Sequence, residues 1–213
     1  MKLFGYWRSS ATYRVRIALN IKDIPYEYEA IDLLDGAQRE AAHLARNPMA
    51  LVPALETDDR ANIVQSLAII EYLEETHPSP SLLPKSPVAR AAARAIAQTL
   101  ASEAQPLMNL RIQQYLKNEG GFDKGKLNAW LAKWPGGAMA AMEEMVGAYG
   151  GDFCVGDTPT IADCCLVPQF YAANRFGIDV SSLPRLQAIV DRCSTLPAFE
   201  KAHPDNQPDA PGK

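Results

Sequence analysis

The sequence predicts an α/β part followed by an all-α part, and three observations carry that prediction. Residues 1–33 follow a strand, helix, strand order. Pro78, Pro80, Pro84 and Pro87 then break any regular structure, and no strand pattern follows them. We therefore place a first domain over 1–78, a linker over 79–86 and a helical domain over 87–213. With 213 residues, 47% of them hydrophobic and 22% charged, the chain can bury one large core or two modest ones. A net charge of −4, with no basic run, excludes a nucleic-acid footprint. No apolar run is long enough to span a bilayer, and Met1 leads straight into a strand, so neither a membrane partner nor a signal peptide is expected and a cytoplasmic location is. Cys154, Cys164, Cys165 and Cys193 lack metal-ligand or redox-pair spacing, and His43, His77 and His203 are scattered. We expect no metal site, and reduced, mostly buried thiols.

The first strand is the apolar run Leu3 to Tyr6. The stretch WRSSATYRVRIAL, Trp7 to Leu19, then turns into a helix whose apolar face is Val15, Ala18 and Leu19, with Arg14 and Arg16 pointing elsewhere. Ser9, Ser10 and Thr12 thus lie at a helix start, where N–H groups lack partners and the dipole is positive. One hydroxyl suffices as an N-cap. The others are left for an anion. Asp23-Ile24-Pro25 ends this helix, and the alternation YEYEAIDL from Tyr26 to Leu33 reads as a half-buried strand. Gln38 to Arg46 is helix-prone up to the turn Asn47-Pro48, and Leu51 to Leu55 opens a third strand, in which Pro53 marks an edge. A hairpin turn at Thr57–Arg60 returns through Ala61 to Val64. Ser66 is then placed to cap a helix with the periodic run Ala68, Ile69, Tyr72 and Leu73.

Beyond Pro87 an alanine-rich stretch reads as one long helix bent at Pro106. A second helical stretch runs from about Lys124 to Tyr149, with Pro135-Gly136-Gly137 set to kink or break it. Thr160 and Asp163 form a Thr-x-x-Asp capping box. A last helix is expected from Leu183 to about His203, followed by the polar tail DNQPDAPGK, which should fray.

WRSSATYRVRIAL resembles the N-terminal signature of zeta-class glutathione transferases, the maleylacetoacetate and maleylpyruvate isomerases. The resemblance extends from FGYWRSS to HPDNQPDAP and includes the capping box. It implies a thioredoxin-like first domain and an all-α second domain, the cytosolic glutathione transferase fold, and homodimers. Ser9-Ser10-Ala11-Thr12 occupies the slot of a Cys-x-x-Cys pair and holds no thiol, so the sulfur is expected from glutathione as cofactor. Ala11 departs from the cysteine usual there, which weakens a helper role at that position. By the same resemblance Pro53 is cis and Val52 offers its N–H and C=O to the tripeptide, while Gln65 and Ser66 hold its γ-glutamyl carboxylate. Gln105 and Asn109, on one helix, are further glutathione or cleft contacts.

Glutathione must react as thiolate. Lowering a thiol pKa by about two units takes about 2.7 kcal/mol, whereas a helix dipole supplies about 0.3–1 kcal/mol. A hydroxyl hydrogen bond to the charged sulfur adds about 1.5–3 kcal/mol, so Ser9 or Ser10 is expected as the donor. Ser9 matches the family's catalytic serine. The implied reaction is reversible thiolate addition to a maleyl double bond, rotation, and release of the fumaryl isomer. The substrate is a small dicarboxylate, and arginines grip carboxylates bidentately. Arg8, Arg111 and Arg175 match the family's substrate-binding positions, and Arg111 tilts the choice toward maleylpyruvate. Two rival readings share the fold: a general transferase that conjugates electrophiles and consumes glutathione, and a non-catalytic binding protein.

Overall fold

Four residues with Leu3 and Phe4 buried on alternate faces make Lys2–Gly5 (β1) an inner strand. The computed structural model describes residues 1–213. Its packing divides the chain into two units, residues 1–82 together with 194–213, and residues 83–193.

In the first unit β1 leads through a turn into Ser10–Ile21 (α1) and on to Glu27–Ala30 (β2), which lies parallel to β1 with Leu3 opposite Tyr28. A short 3-10 turn, Ala37–Arg39, and Ala41–Leu44 (α2) precede Ala54–Glu56 (β3). Asn62–Val64 (β4) completes a hairpin with β3. β3 runs antiparallel to β1 with Leu3 opposite Leu55, so the sheet order is β2-β1-β3-β4. Phe4, Tyr6, Ile31, Val52 and Ala54 form one cluster, with Trp7, Leu33 and Val64 packed against it. Gly5 lies on the other face, beside α1. A Cβ there would meet the Thr12 methyl at 2.3 Å, so only glycine admits this approach of strand to helix. Ser66–Thr76 (α3) follows β4 and packs on α1.

Arg14 and Arg16, set off the apolar face of α1, point into the interior and not to solvent. Both are buried, at 1% and 0% exposure. α1 is covered by α3 and also by Pro197–Ala202 (α10), so a single apolar stripe is not the whole of its buried surface. Arg16 Nε donates to the Ala202 carbonyl at 3.0 Å, and Asn20 donates to the Ala198 carbonyl at 3.0 Å. Packing therefore assigns residues 194–213 to the first unit, and the helical domain drawn over 87–213 ends at Cys193. The tail is not frayed. Pro204–Asn206 forms a 3-10 turn, Gln207 is buried and donates to the Lys201 and His203 carbonyls, and Asp209 accepts from Trp7 N–H and the Tyr28 hydroxyl.

The second unit contains helices and no strand. Ser86 caps Pro87–Gln98 (α4), which buries Ala92, Ala93, Ile96 and Ala97. The single bent helix expected here is four successive elements. Ahead of Pro106 the chain widens into a π turn at Thr99–Ala104 and tightens at Gln105–Met108. It then stops at Asn109, whose extended backbone and side chain cap a new helix, Leu110–Asn118 (α5). Around Pro135 the outcome is gentler. Lys124–Leu131 (α6) passes through a π turn at Ala132–Gly136 into Gly137–Tyr149 (α7) without leaving the helical path. The capping box is present on Ile161–Phe176 (α8). Thr160 Oγ1 accepts from Ala162 N–H, and the fully buried Asp163 accepts from Thr160 N–H at 2.7 Å and Cys154 N–H at 2.9 Å. The last expected helix is two, Pro184–Ser194 (α9) and α10, because the residue before Pro197 is held extended.

Lys22 Nζ, fully buried, donates to Glu74 at 2.7 Å and to the His77 and Pro80 carbonyls, so it ties α1 to the chain leaving α3. Burial works against the Glu74 charge. The Leu82 N–H, Lys22 and the Ser81 hydroxyl outweigh it and hold the carboxyl below its ordinary value. Its contribution to stability is therefore complete above the unfolded value of 4.5 and is lost as pH falls through the folded one. Glu74→Gln is expected to cost about 1–3 kcal/mol at neutral pH. The gap to the parent should narrow on acidification, as urea melts across pH 7 to 3 would show.

Candidate active site

The turn between β1 and α1 is built by backbone bonds: Ser9 N–H donates to the Tyr6 carbonyl at 3.0 Å and Tyr13 N–H to the Ser9 carbonyl at 2.8 Å. Ser9 is the N-cap. Its Oγ accepts from Thr12 N–H at 3.2 Å, which occupies a lone pair and leaves the hydroxyl hydrogen to be donated outward. Ser10 is the first helical residue, and both serines are half-buried. Thr12 is withdrawn from the surface. It is fully buried, and its hydroxyl faces Tyr6 N–H at 3.4 Å.

A second helix start belongs to the same unit. Ser66 was expected to cap α3, but Gln65 is the N-cap and Ser66 the first helical residue. The Gln65 side chain makes no capping bond, so the first N–H groups of α3 receive no acceptor from it. Gln65 is exposed and sits at φ 70°, a conformation that costs a non-glycine residue about 1–3 kcal/mol. Ser66 Oγ accepts from the buried Arg14 at 3.2 Å. A guanidinium has no acceptor, so the serine must be the acceptor and its own hydrogen is left for another group. Arg14 thus links the two helix starts and sets positive charge behind the second. The sequence reading missed it; the one signal was a charged residue among Tyr13, Val15 and Ile17, all of them buried.

Val52 precedes Pro53 through a cis peptide bond and packs in the Phe4 cluster. Its N–H and C=O make no hydrogen bond with the rest of the chain. Arg8 is half-buried, with its guanidinium 5.1 Å over the Trp7 ring. The structure therefore brings Arg8, Ser9, Ser10, Val52, Pro53, Gln65 and Ser66 into one unit around two helix starts.

The other candidates lie in the second unit. Gln105 and Asn109 do not share a helix. Gln105 is in the tightened turn, and Asn109 caps α5, its Oδ1 accepting from Arg111 N–H at 3.2 Å. Arg111, in the first turn of α5, is exposed; so is Arg175, in the last turn of α8, 4.1 Å from the Phe176 ring centre. All four cysteines are buried and none forms a disulfide, and burial raises the thiols of Cys154, Cys164 and Cys193. Such thiols are inert as nucleophiles. The site can thus bind anions and donate hydrogen bonds, and any attacking sulfur comes from outside the chain.

Residues 3–81 match the family model for the glutathione S-transferase N-terminal domain, and residues 138–197 that for the C-terminal domain. The chain is 43% identical to the maleylacetoacetate isomerase of Pseudomonas aeruginosa, with 99% of each chain covered. The chain belongs to the glutathione S-transferase family. Within it the match is to the zeta class. A holo structure of a maleylpyruvate isomerase, described as a bacterial zeta-class transferase, superposes with a TM-score of 0.95 at 42% identity, covering 99% of this chain and 100% of that one. A maleylacetoacetate isomerase from Methylobacterium extorquens AM1, solved with malonate and glutathione bound, gives a TM-score of 0.94 at 39% identity over 99% and 100% of the two chains. The thioredoxin-like first domain and all-helical second domain of this zeta-class chain are those of the family.

If Gln65 is strained for the sake of the helix start it opens, Gln65→Gly should raise the melting temperature, by about 1–2 kcal/mol of stability. Gln65→Ala, which keeps the strain and removes the amide, should leave the melting temperature near that of the parent.

Proposed function

We propose that this chain is a glutathione-dependent cis–trans isomerase that converts maleylpyruvate or maleylacetoacetate to the fumaryl isomer in aromatic catabolism. The observation that carries this reading is the pair of helix starts joined by Arg14, each with a serine hydroxyl whose hydrogen is not used by the chain. One suits a carboxylate and the other a sulfur anion, and one small peptide carries both groups. Ser66 and Gln65 hold the γ-glutamyl carboxylate, and the unpaired N–H and C=O of Val52, beside Pro53, take the peptide backbone. Ser9 donates its hydroxyl hydrogen to the sulfur, and Ser10 contributes the first N–H of α1.

Bound glutathione supplies a thiolate that adds to the conjugated double bond and departs after the bond has rotated. The chain's share is to keep that sulfur charged. The α1 dipole contributes about 0.3–1 kcal/mol, and the Ser9 hydrogen bond about 1.5–3 kcal/mol. Together they reach the roughly 2.7 kcal/mol of a two-unit fall in thiol pKa. Arg8, Arg111 and Arg175 recognise the two substrate carboxylates, and Gln105 and Asn109 are additional glutathione or cleft contacts. The dicarboxylate in a solved relative, malonate, supports this assignment. Identities of 43% to a maleylacetoacetate isomerase and 42% to a maleylpyruvate isomerase do not separate the two substrates, so the Arg111 position is what favours maleylpyruvate. The first unit binds glutathione and contributes Arg8, and the second contributes Arg111 and Arg175 to substrate recognition. The family resemblance supports a cytoplasmic homodimer, which light scattering of the purified protein would test.

Incubation with a maleyl substrate and sub-stoichiometric glutathione should give complete conversion with total glutathione unchanged. Consumption of glutathione would make the protein a conjugating enzyme, and absence of binding at millimolar glutathione would make it a non-catalytic relative. Ser9→Ala should lower kcat about ten- to a hundredfold, the value of the lost bond to charge. Arg111→Ala should raise KM more for the doubly anionic substrate than for a neutral electrophile. Equal effects would remove Arg111 from carboxylate recognition.

A further inference from the structure

The Trp7 main chain, next to Arg8 and Ser9, is held on both sides by side chains from outside the turn, one of them 202 positions away. Its N–H donates to Asp209 Oδ2 at 2.9 Å, and its C=O accepts from Arg16 Nη2 at 2.9 Å. Neither bond belongs to the sheet or to a helix. Asp209 is held in turn by the Tyr28 hydroxyl of β2 at 3.1 Å, and Arg16 by the Ala202 carbonyl of α10. Burial, and then the Asp209 charge, push the Tyr28 phenol upward, so it remains a donor at any physiological pH. All these groups lie in the first unit.

We propose that Asp209 is a positioning residue for the reaction: it fixes the Trp7 peptide, and through it the directions of Arg8 and the Ser9 hydroxyl. The inference rests on the assignment of Ser9 as the thiolate donor. The four residues between β1 and α1 have few bonds of their own, and Ser9 N–H to the Tyr6 carbonyl is the one that closes the turn. A charge-assisted bond at Trp7 N–H fixes the orientation of the Tyr6–Trp7 peptide. Misplacing a donor by about 1 Å costs about a hundredfold in rate, so this anchoring has leverage on the chemistry at a distance.

The roles of bond and charge separate in two substitutions. Asp209→Asn keeps an oxygen to accept from Trp7 N–H and removes the charge, whereas Asp209→Ala removes both. The ultraviolet thiolate band of bound glutathione, titrated with pH, reads the sulfur directly. For Asp209→Ala the band should titrate about one unit higher, with kcat down about tenfold and glutathione Kd within about twofold of the parent, because the carboxylate end is held elsewhere. Asp209→Asn should restore both values. A parental titration and kcat in the alanine variant would overturn the proposal, as would an asparagine variant as impaired as alanine. Should the alanine variant not fold, hydrogen exchange in the parent decides: a slowly exchanging Trp7 amide supports the anchor, and exchange at the rate of a free peptide overturns it. Absence of any thiolate band in the parent would instead count against the Ser9 assignment itself.

Discussion

An α-helix cannot satisfy its own first N–H groups, and this molecule makes two such deficits the centre of its first unit. α1 begins at a serine that caps one N–H and keeps a hydrogen to donate; α3 begins at a strained glutamine that caps none. Both starts offer positive potential without a mobile cation. An anion bound there meets donors already fixed by the fold, so little reorganisation is needed when charge develops.

Buried guanidinium groups hold this arrangement together. Arg14 joins α1 to the first residue of α3, and Arg16 joins α1 to α10 and to the Trp7 carbonyl. Desolvation pulls Arg16 down from its usual pKa, the cost of placing a charge in the interior. Its carbonyl partners offset that cost in part, and they are groups that only the folded chain brings within reach. The same logic holds for Lys22, whose ammonium is buried among Glu74 and two carbonyls. Three cations on one helix thus join it to α3, to the chain after α3 and to the C-terminal segment.

How legible this was differs from element to element. The sheet, α1, α3, the Thr160–Asp163 box and the serine-rich helix start could all be read, because each depends on neighbours within a few residues. The passage around Pro106 was read as a bend and is a break. Proline announces a lost hydrogen bond, but whether the helix resumes depends on what the next residues cap, and Asn109 caps a new one. Ser66 was read as a cap by residue type and proved to be the acceptor for Arg14, fifty-two positions away. The tail was read as frayed from its polarity, yet Gln207 and Asp209 find partners on other elements.

The sequence by itself determined the two-part architecture, the family and the residues at the two helix starts, since periodicity, turn chemistry and short motifs are local properties of a chain. Only the tertiary structure decided that Arg14 and Arg16 are interior and that residues 194–213 pack with the first unit rather than with the helices before them. It also decided that Trp7 is held by Asp209. The reason is physical: burial of a charge is favourable only where distant groups converge to satisfy it, and no window of adjacent residues contains them.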